Sequence, residues 1–289
     1  MAMTSAASID AVVDTGRYPL MHPGSEVYDA AVSRARVELA SDGCTVLPGF
    51  VRAELLDELS RQCASVTPLA YYDVEVVNVY NTATDFALPQ RHPVNLTMER
   101  GNAFVARDQI PTHFMVARLY TSPEFHQFIA ACVGLPEVYQ LADPLAGLCL
   151  NVLTEGRSHP WHFDTNEFAI SMLTQAPFGG GTFEYCPGIR SAGAENFDDV
   201  EAVLAGEGEH LVHRLSLRPG DLQLFSGRYS LHRVTAVQGP RERHSAIFAY
   251  SATPGVVGSV PRTKQLFGRV LPEHLAAASG AGRSDELLD

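Results

Sequence analysis

The stretch RSHPWHFDTNEF, from Arg157 to Phe168, packs two histidines, the chain's only tryptophan and an aspartate between His159 and Asp164. On a strand, successive side chains point to opposite faces, so His162 and Asp164 share one face and Phe163 takes the other. An imidazole and a carboxylate converging from one strand leave a gap for a third ligand, and the later stretch GRYSLHRVTAV supplies His232. Two histidines and one carboxylate suit a non-heme Fe(II) whose remaining positions serve cosubstrate and O2; zinc would accept the same donors. A single strand histidine is most often a packed core residue. The joint pattern sets His162, Asp164 and His232 apart as metal ligands.

Eleven residues after His232, the sequence RHS places Arg243 and Ser245 on one strand face. A guanidinium and a hydroxyl two residues apart can grip a carboxylate by charge-assisted hydrogen bonds. That grip suits the far carboxylate of 2-oxoglutarate, whose 2-oxo acid end would chelate the metal. Arg241 competes for the role, and the strand-face argument favours Arg243. His159, three residues before the first ligand, is a candidate for touching substrate. Arg190 could hold a substrate carboxylate, as could Arg100, Arg118 or Arg157, and Asp143 or Glu167 an ammonium group, although surface salt bridges are the ordinary role of such residues. The glycines 179–181 precede no helix start and read as a hairpin turn rather than a phosphate loop.

These residues need strands to hold them. From Gly147 onward the sequence breaks into short strand-like runs between turn signals: GLCLNVLT, PWHF, EFAISMLT, GTFEY, HLVHRLSL, DLQLF, LHRVTAV and RHSAIFAYS. That texture predicts an α+β, mainly β fold, a double-stranded β-helix of the jelly-roll kind. The spacing predicts helices in VYDAAVSRARVELASDG, AELLDELSRQC and SPEFHQFIAACVG, which would pack outside the strands, and a short strand in CTVLPGF. One domain is expected to span 1–289: an irregular arm over 1–25, a helical and loop support over 26–146, the jelly-roll core over 147–255, and a C-terminal segment over 256–289 ending in a frayed tail. Residues 83–112, rich in Pro, Asn and Arg, read as a long loop region, functional or mobile.

The order His-x-Asp, distant His, Arg-x-Ser resembles the Fe(II)/2-oxoglutarate-dependent oxygenase superfamily. A closer resemblance covers most of residues 100–270. WHFDTNEFAISMLTQAPFGGGTFEYCPGIR, PGDLQLFSGRYSLHRVTAVQG and the later LFGR are similar to the BesD-type free-amino-acid halogenases and hydroxylases. In the halogenases of that group a glycine replaces the carboxylate ligand and opens a site for chloride. Here the position is Asp164, which implies a hydroxylase-type member. The resemblance implies Fe(II), 2-oxoglutarate and O2 as cofactor and cosubstrates, and a free amino acid or small derivative as substrate. The implied reaction yields succinate and CO2 while an unactivated C–H bond is hydroxylated; desaturation or oxidative cyclisation would use the same cofactors. A metal-binding barrel that senses a ligand without turnover is the alternative from another class, and it has no need of the Arg243–Ser245 clamp.

The chain has 289 residues, a formal charge of −12 and no basic stripe, so nucleic acid is not an expected partner. A small anionic ligand stays compatible, because a pocket can be locally basic on an acidic protein. Five cysteines lie far apart with no C-x-x-C pair, which points to reduced thiols in a cytoplasmic protein. No stretch has the character of a signal peptide or a membrane span.

Overall fold

A computed structural model of the chain describes residues 9–277, 287 and 288. Its helices are α1 (Glu26–Asp42), α2 (Leu56–Val66), α3 (Met115–Thr121), α4 (Pro123–Val133), α5 (Phe197–Leu204), α6 (Val260–Phe267) and α7 (Pro272–Ala277). The strands of the first half are β1 (Cys44–Leu47), β2 (Tyr71–Val77), β3 (Met98–Val105), β4 (Tyr139–Gln140), β5 (Leu148–Leu153), β6 (His159–His162) and β7 (Ala169–Gln175). There follow β8 (Gly179–Gly180), β9 (Phe183–Cys186), β10 (His213–Leu215), β11 (Leu222–Phe225), β12 (Leu231–Val234), β13 (Val237–Gln238), β14 (Arg243–Phe248) and β15 (Tyr250–Ser251).

Two antiparallel sheets make the double-stranded β-helix. The large one runs β1-β11-β7-β14-β5-β3-β2 and the small one β10-β9-β12-β6. They face each other without closing into a hydrogen-bonded ring. Phe183 and Tyr185 of the small sheet meet Phe225 of the large one at ring distances of 5.2 and 5.6 Å. The other face of the large sheet is covered by helices. Ile170, Met172, Leu222, Leu224 and Phe248 pack there against Leu59, Leu119, Phe125 and Phe128. Burying each such side chain stabilises the fold by about 1.5–3 kcal/mol.

Local signals account for the helix ends. The Ser25 hydroxyl accepts from the Tyr28 N–H at the start of α1, and Gly43 ends it with φ 63°. Ser122 caps α4 and Gly134 stops it. Neither glycine position suits a residue with a Cβ.

Three expectations are corrected. Residues 9–25 are irregular but do not stand off as an arm: Val12, Val13, Tyr18 and Leu20 are buried in the main core, and Val13 bridges to Val51. The stretch 83–112 is not one loop, because β3 lies inside it and pairs β2 with β5. The support region therefore lends β1, β2 and β3 to the large sheet. The expected frayed tail falls mostly outside the described residues, but Leu288 is docked, its N–H donating to Glu195 Oε1 over 2.6 Å. The five cysteines are free and buried, with burial pushing each thiol up to about 12. Among the described residues no helix is long and apolar enough to cross a membrane.

Candidate active site

Pairing of β6 with β12 sets His162 directly opposite His232, and their rings stand 4.0 Å apart. Asp164 follows two residues on, anchored by its N–H to the Gly227 carbonyl. Its Oδ1 lies 3.7 Å from His162 Nε2 and 3.6 Å from His232 Nε2. One donor atom from each of the three residues lies within 4.8 Å of the others, so one ion can contact all three.

The proton inventory fits a metal. His162 Nδ1 is 2.8 Å from the Pro160 carbonyl, and His232 Nδ1 is 3.0 Å from the Ser230 carbonyl. A carbonyl only accepts, so each Nδ1 carries the hydrogen and each Nε2 turns its lone pair to the pocket. Burial holds the His162 pKa well below the ordinary histidine value, with His159 and His232 adding to the effect. Burial alone would raise the Asp164 carboxyl, but His232 and His162 outweigh it and bring it to about 2. Neutral imidazole nitrogens and an ionised carboxylate are the forms that ligate.

Gly227 makes this arrangement possible. A Cβ at position 227 would fall 1.9 Å from Asp164 Oδ2. No spacing in the sequence marks that glycine.

His159 departs from simple alternation. The β12–β6 register shifts between His232 and Val234, so that Val234 pairs with His159. This bulge turns the His159 ring onto His162, stacked at 3.9 Å with 9° between planes. Trp161 is left in a different cluster with Val79 and Phe163, under the Arg233 guanidinium. His159 and Trp161, which simple alternation would put on one face, are therefore apart. Burial first, then the charges of Arg100, His232, Arg262 and Arg243, keep His159 neutral well below the usual range.

Arg243 is 4% exposed and Ser245 is 6% exposed. Arg243 Nη1 donates to Ser245 Oγ over 2.8 Å, and Nε donates to the Gly181 carbonyl over 2.9 Å. Among the described residues no carboxylate pairs with this guanidinium, and burial brings its pKa down to about 10. An acid-free buried cation is costly unless an anion joins it. The 179–181 glycines serve this group rather than a hairpin turn. Gly179 and Gly180 form β8 beside β13, and a Cβ on Gly181 (φ 61°) would sit 2.9 Å from Arg243 Cδ. Arg241 is exposed and lines a different cleft.

Other candidates lie elsewhere. Asp143 is fully buried, accepting from the Leu145, Ala146 and Gly258 N–H groups and facing His274 at 3.1 Å. With every oxygen engaged it is a structural hub for the segment leading to α6. Arg190 is 1% exposed; it pairs with Glu195 and the Leu288 carbonyl, and its guanidinium lies 3.8 Å from the Phe163 ring centre. That contact accounts for Nη2, which has no hydrogen-bond partner. Since Phe163 points away from Asp164, Arg190 belongs to the far side of the small sheet. Arg157 pairs with Glu99 and lies over Tyr72, and Glu167 is exposed.

Sequence reasoning missed two groups near the metal ligands. Arg262, on α6, feels burial first and then the charges of Arg100, Asp164 and Glu75, which together leave its pKa at about 10. Its Nη1 donates to Gln265, and among the described residues no carboxylate pairs with it. Glu75 pairs with Arg100 across the β2–β3 ladder at 2.5 Å. Helix α6 reaches this pocket through Phe267, which packs with Phe104, and Phe104 meets His159 edge-on at 6.4 Å.

Comparisons with known proteins bear on the whole. The chain is similar in structure to AviO1 from Streptomyces viridochromogenes Tue57, at 16% identity over 78% of this chain and 94% of that one, with a TM-score of 0.50. It is also similar to a 2OG-Fe(II) oxygenase family oxidoreductase from Burkholderia pseudomallei (17% identity, 78% and 92% covered, TM-score 0.49) and to EctD from S. alaskensis (20%, 76% and 76%, 0.48). No curated protein matches the chain. The family model described as Halogenase D matches residues 27–261, which include β6, β12, Arg243 and Ser245. By that match, which agrees with the motif order His-x-Asp, His, Arg-x-Ser, the chain belongs to the Halogenase D family of Fe(II)/2-oxoglutarate oxygenases.

Proposed function

We propose that this chain hydroxylates an unactivated C–H bond of a free amino acid or small amino-acid derivative, in specialised metabolism. The carrying observation is the acid-free buried guanidinium of Arg243, held beside Ser245 behind a His–Asp–His donor set. A barrel that only senses metal has no use for it. His162, Asp164 and His232 would hold iron, and Arg243 with Ser245 the distal carboxylate of 2-oxoglutarate. When bound, the metal supplies the oxidative chemistry by which 2-oxoglutarate and O2 give succinate, CO2 and one oxygen atom for the substrate.

The protein's own residues orient the reactants. Arg262 and the Arg100–Glu75 pair offer both charge signs beside His159, as an amino-acid zwitterion requires. Asp164 fills the position that a halide would need and lowers the positive charge that would attract one. This supports hydroxylation in a family whose model is named for halogenation.

The test adds Fe(II) and 2-oxoglutarate without oxygen, then O2 and a panel of amino acids. A visible charge-transfer band should form, followed by succinate and a product heavier by one oxygen. A loss of two hydrogens would turn the reading to desaturation or cyclisation. A chlorinated product from the native enzyme in chloride buffer would remove Asp164 from the ligand set, whereas Asp164→Gly should lose most hydroxylation.

A further inference from the structure

A cleft of about 1080 Å³, lined by none of the metal ligands, opens between α2, the end of β1 and the turn before β11. Five arginines line it: Arg17, Arg34, Arg61, Arg218 and Arg241. The chain has twenty arginines (21 basic residues less Lys264), so a quarter of them converge here on a protein of formal charge −12. Only two acidic residues share the lining, Asp57 and Asp221. Asp221 is buried and committed, accepting from the Gly49 and Arg218 N–H groups at 2.8 Å each.

Local ion pairs do not explain the cluster. Arg17 approaches Asp14 at 3.5 Å, and Arg61 pairs with Glu58 at 2.5 Å. Arg34 stands beside the Tyr18 hydroxyl. Among the described residues, Arg34, Arg218 and Arg241 take part in no ion pair. The same lining carries apolar groups, Val46, Pro48, Leu56 and Pro219. Planar guanidiniums bind phosphate oxygens in forked pairs. Several of them around one cleft match several anionic groups on one ligand, and the apolar lining matches an uncharged body attached to them. The volume is in the range of small-molecule sites and far exceeds what a lone carboxylate would fill.

We propose that this cleft binds a small, multiply phosphorylated ligand of the nucleoside polyphosphate class, at a site separate from the oxygenase chemistry. The inference does not rest on the proposed reaction.

The experiment titrates the full chain with ADP, inorganic pyrophosphate and adenosine at low and high salt, by calorimetry. ADP should bind, pyrophosphate should compete with it, adenosine should not bind measurably, and affinity should fall as salt screens the arginines. Arg218→Gln combined with Arg241→Gln should weaken ADP by about tenfold, while succinate formation and 2-oxoglutarate affinity stay at native levels. Asp57→Asn should tighten ADP. His162→Ala should leave ADP affinity unchanged, which separates this cleft from the metal pocket. No heat from ADP or pyrophosphate at millimolar concentration would overturn the proposal. So would native affinity in the double variant, or adenosine binding as well as ADP.

Discussion

The pocket between the sheets and the outer cleft treat arginine differently. Arg243 turns into the space between the sheets, where it is 4% exposed and meets only a hydroxyl and a carbonyl. Arg241, two residues earlier and just before β14, is exposed and lines the outer cleft with four other arginines. The first cation is cut off from water and its position demands a specific anion. The second is solvated, and only its company gives it meaning. Burial, rather than residue type, decides which arginine a cosubstrate can exploit.

The sharpest way to break this comparison is at the metal. His232→Ala removes a donor that no neighbour replaces, and should abolish iron binding and succinate formation alike. Normal succinate production from that variant would show that the buried pocket is not where the chemistry happens.

The next largest effect separates the two arginines. Losing a charged hydrogen-bond partner costs about 1.5–3 kcal/mol, so Arg243→Ala should raise the 2-oxoglutarate requirement by roughly ten- to a hundredfold. Substrate affinity should move far less. Arg241→Ala should leave the cosubstrate requirement unchanged. A larger cosubstrate defect from Arg241→Ala than from Arg243→Ala would reverse the assignment of the two sides.

A smaller effect tests what holds Arg243 in place. Gly181→Ala puts a Cβ at a φ of 61°, with Arg243 Cδ 2.9 Å and Pro177 Cγ 2.8 Å away. A non-glycine residue in the left-handed region costs about 1–2 kcal/mol, enough to lower the melting midpoint by a few degrees. The 2-oxoglutarate KM should rise with it while iron affinity holds. A drop in stability with native KM would make Gly181 a fold residue only.

Much of the buried side was legible in the sequence. Strand alternation placed His162 with Asp164, although Asp164 lies just past the end of β6, and Arg243 with Ser245, which face consecutive partners along the β14–β5 ladder although the β14–β7 register shifts between His244 and Ser245. In β6 alternation alone would put His159 and His162 on opposite faces; the bulge beside Val234 moved His159 onto His162, and no residue pattern announces a bulge. Strands β2 and β3 were missed for another reason. β2 lies at the sheet edge with both faces largely exposed, and β3 carries Arg100, Gly101 and Asn102 mid-strand, so neither shows an apolar period. Arg262 comes from a helix beyond the barrel strands, and its place in the pocket depends on how α6 folds back over β2 and β3. The cleft arginines are scattered from position 17 to position 241, a convergence that only the tertiary fold creates.

The subtlest expected difference between the two sides is their response to pH. Burial holds His159 and His162 well below the ordinary histidine range, and it lowers His244 against the opposing pull of Glu242. In the unfolded chain each would take up a proton near pH 6.5. Below that pH the unfolded state therefore binds more protons than the native one, so stability must fall as pH falls, by up to about 1.4 kcal/mol per pH unit for each proton. The loss should begin near pH 7 and build toward pH 5. Asp164, at about 2, adds a second loss only as pH drops below its unfolded value near 4. No histidine lines the outer cleft, so that side should respond to salt rather than to acid. The measurement is the melting midpoint of the metal-free protein from pH 8 to pH 5 at fixed ionic strength, for the native chain, His159→Gln and the Arg218→Gln, Arg241→Gln pair. The native curve should slope down toward acid, His159→Gln should flatten it in part, and the cleft pair should run parallel to native. A flat native curve would mean that these histidines take up protons in the folded state, and the buried pocket would lose its claim to hold neutral ligands ready for a metal.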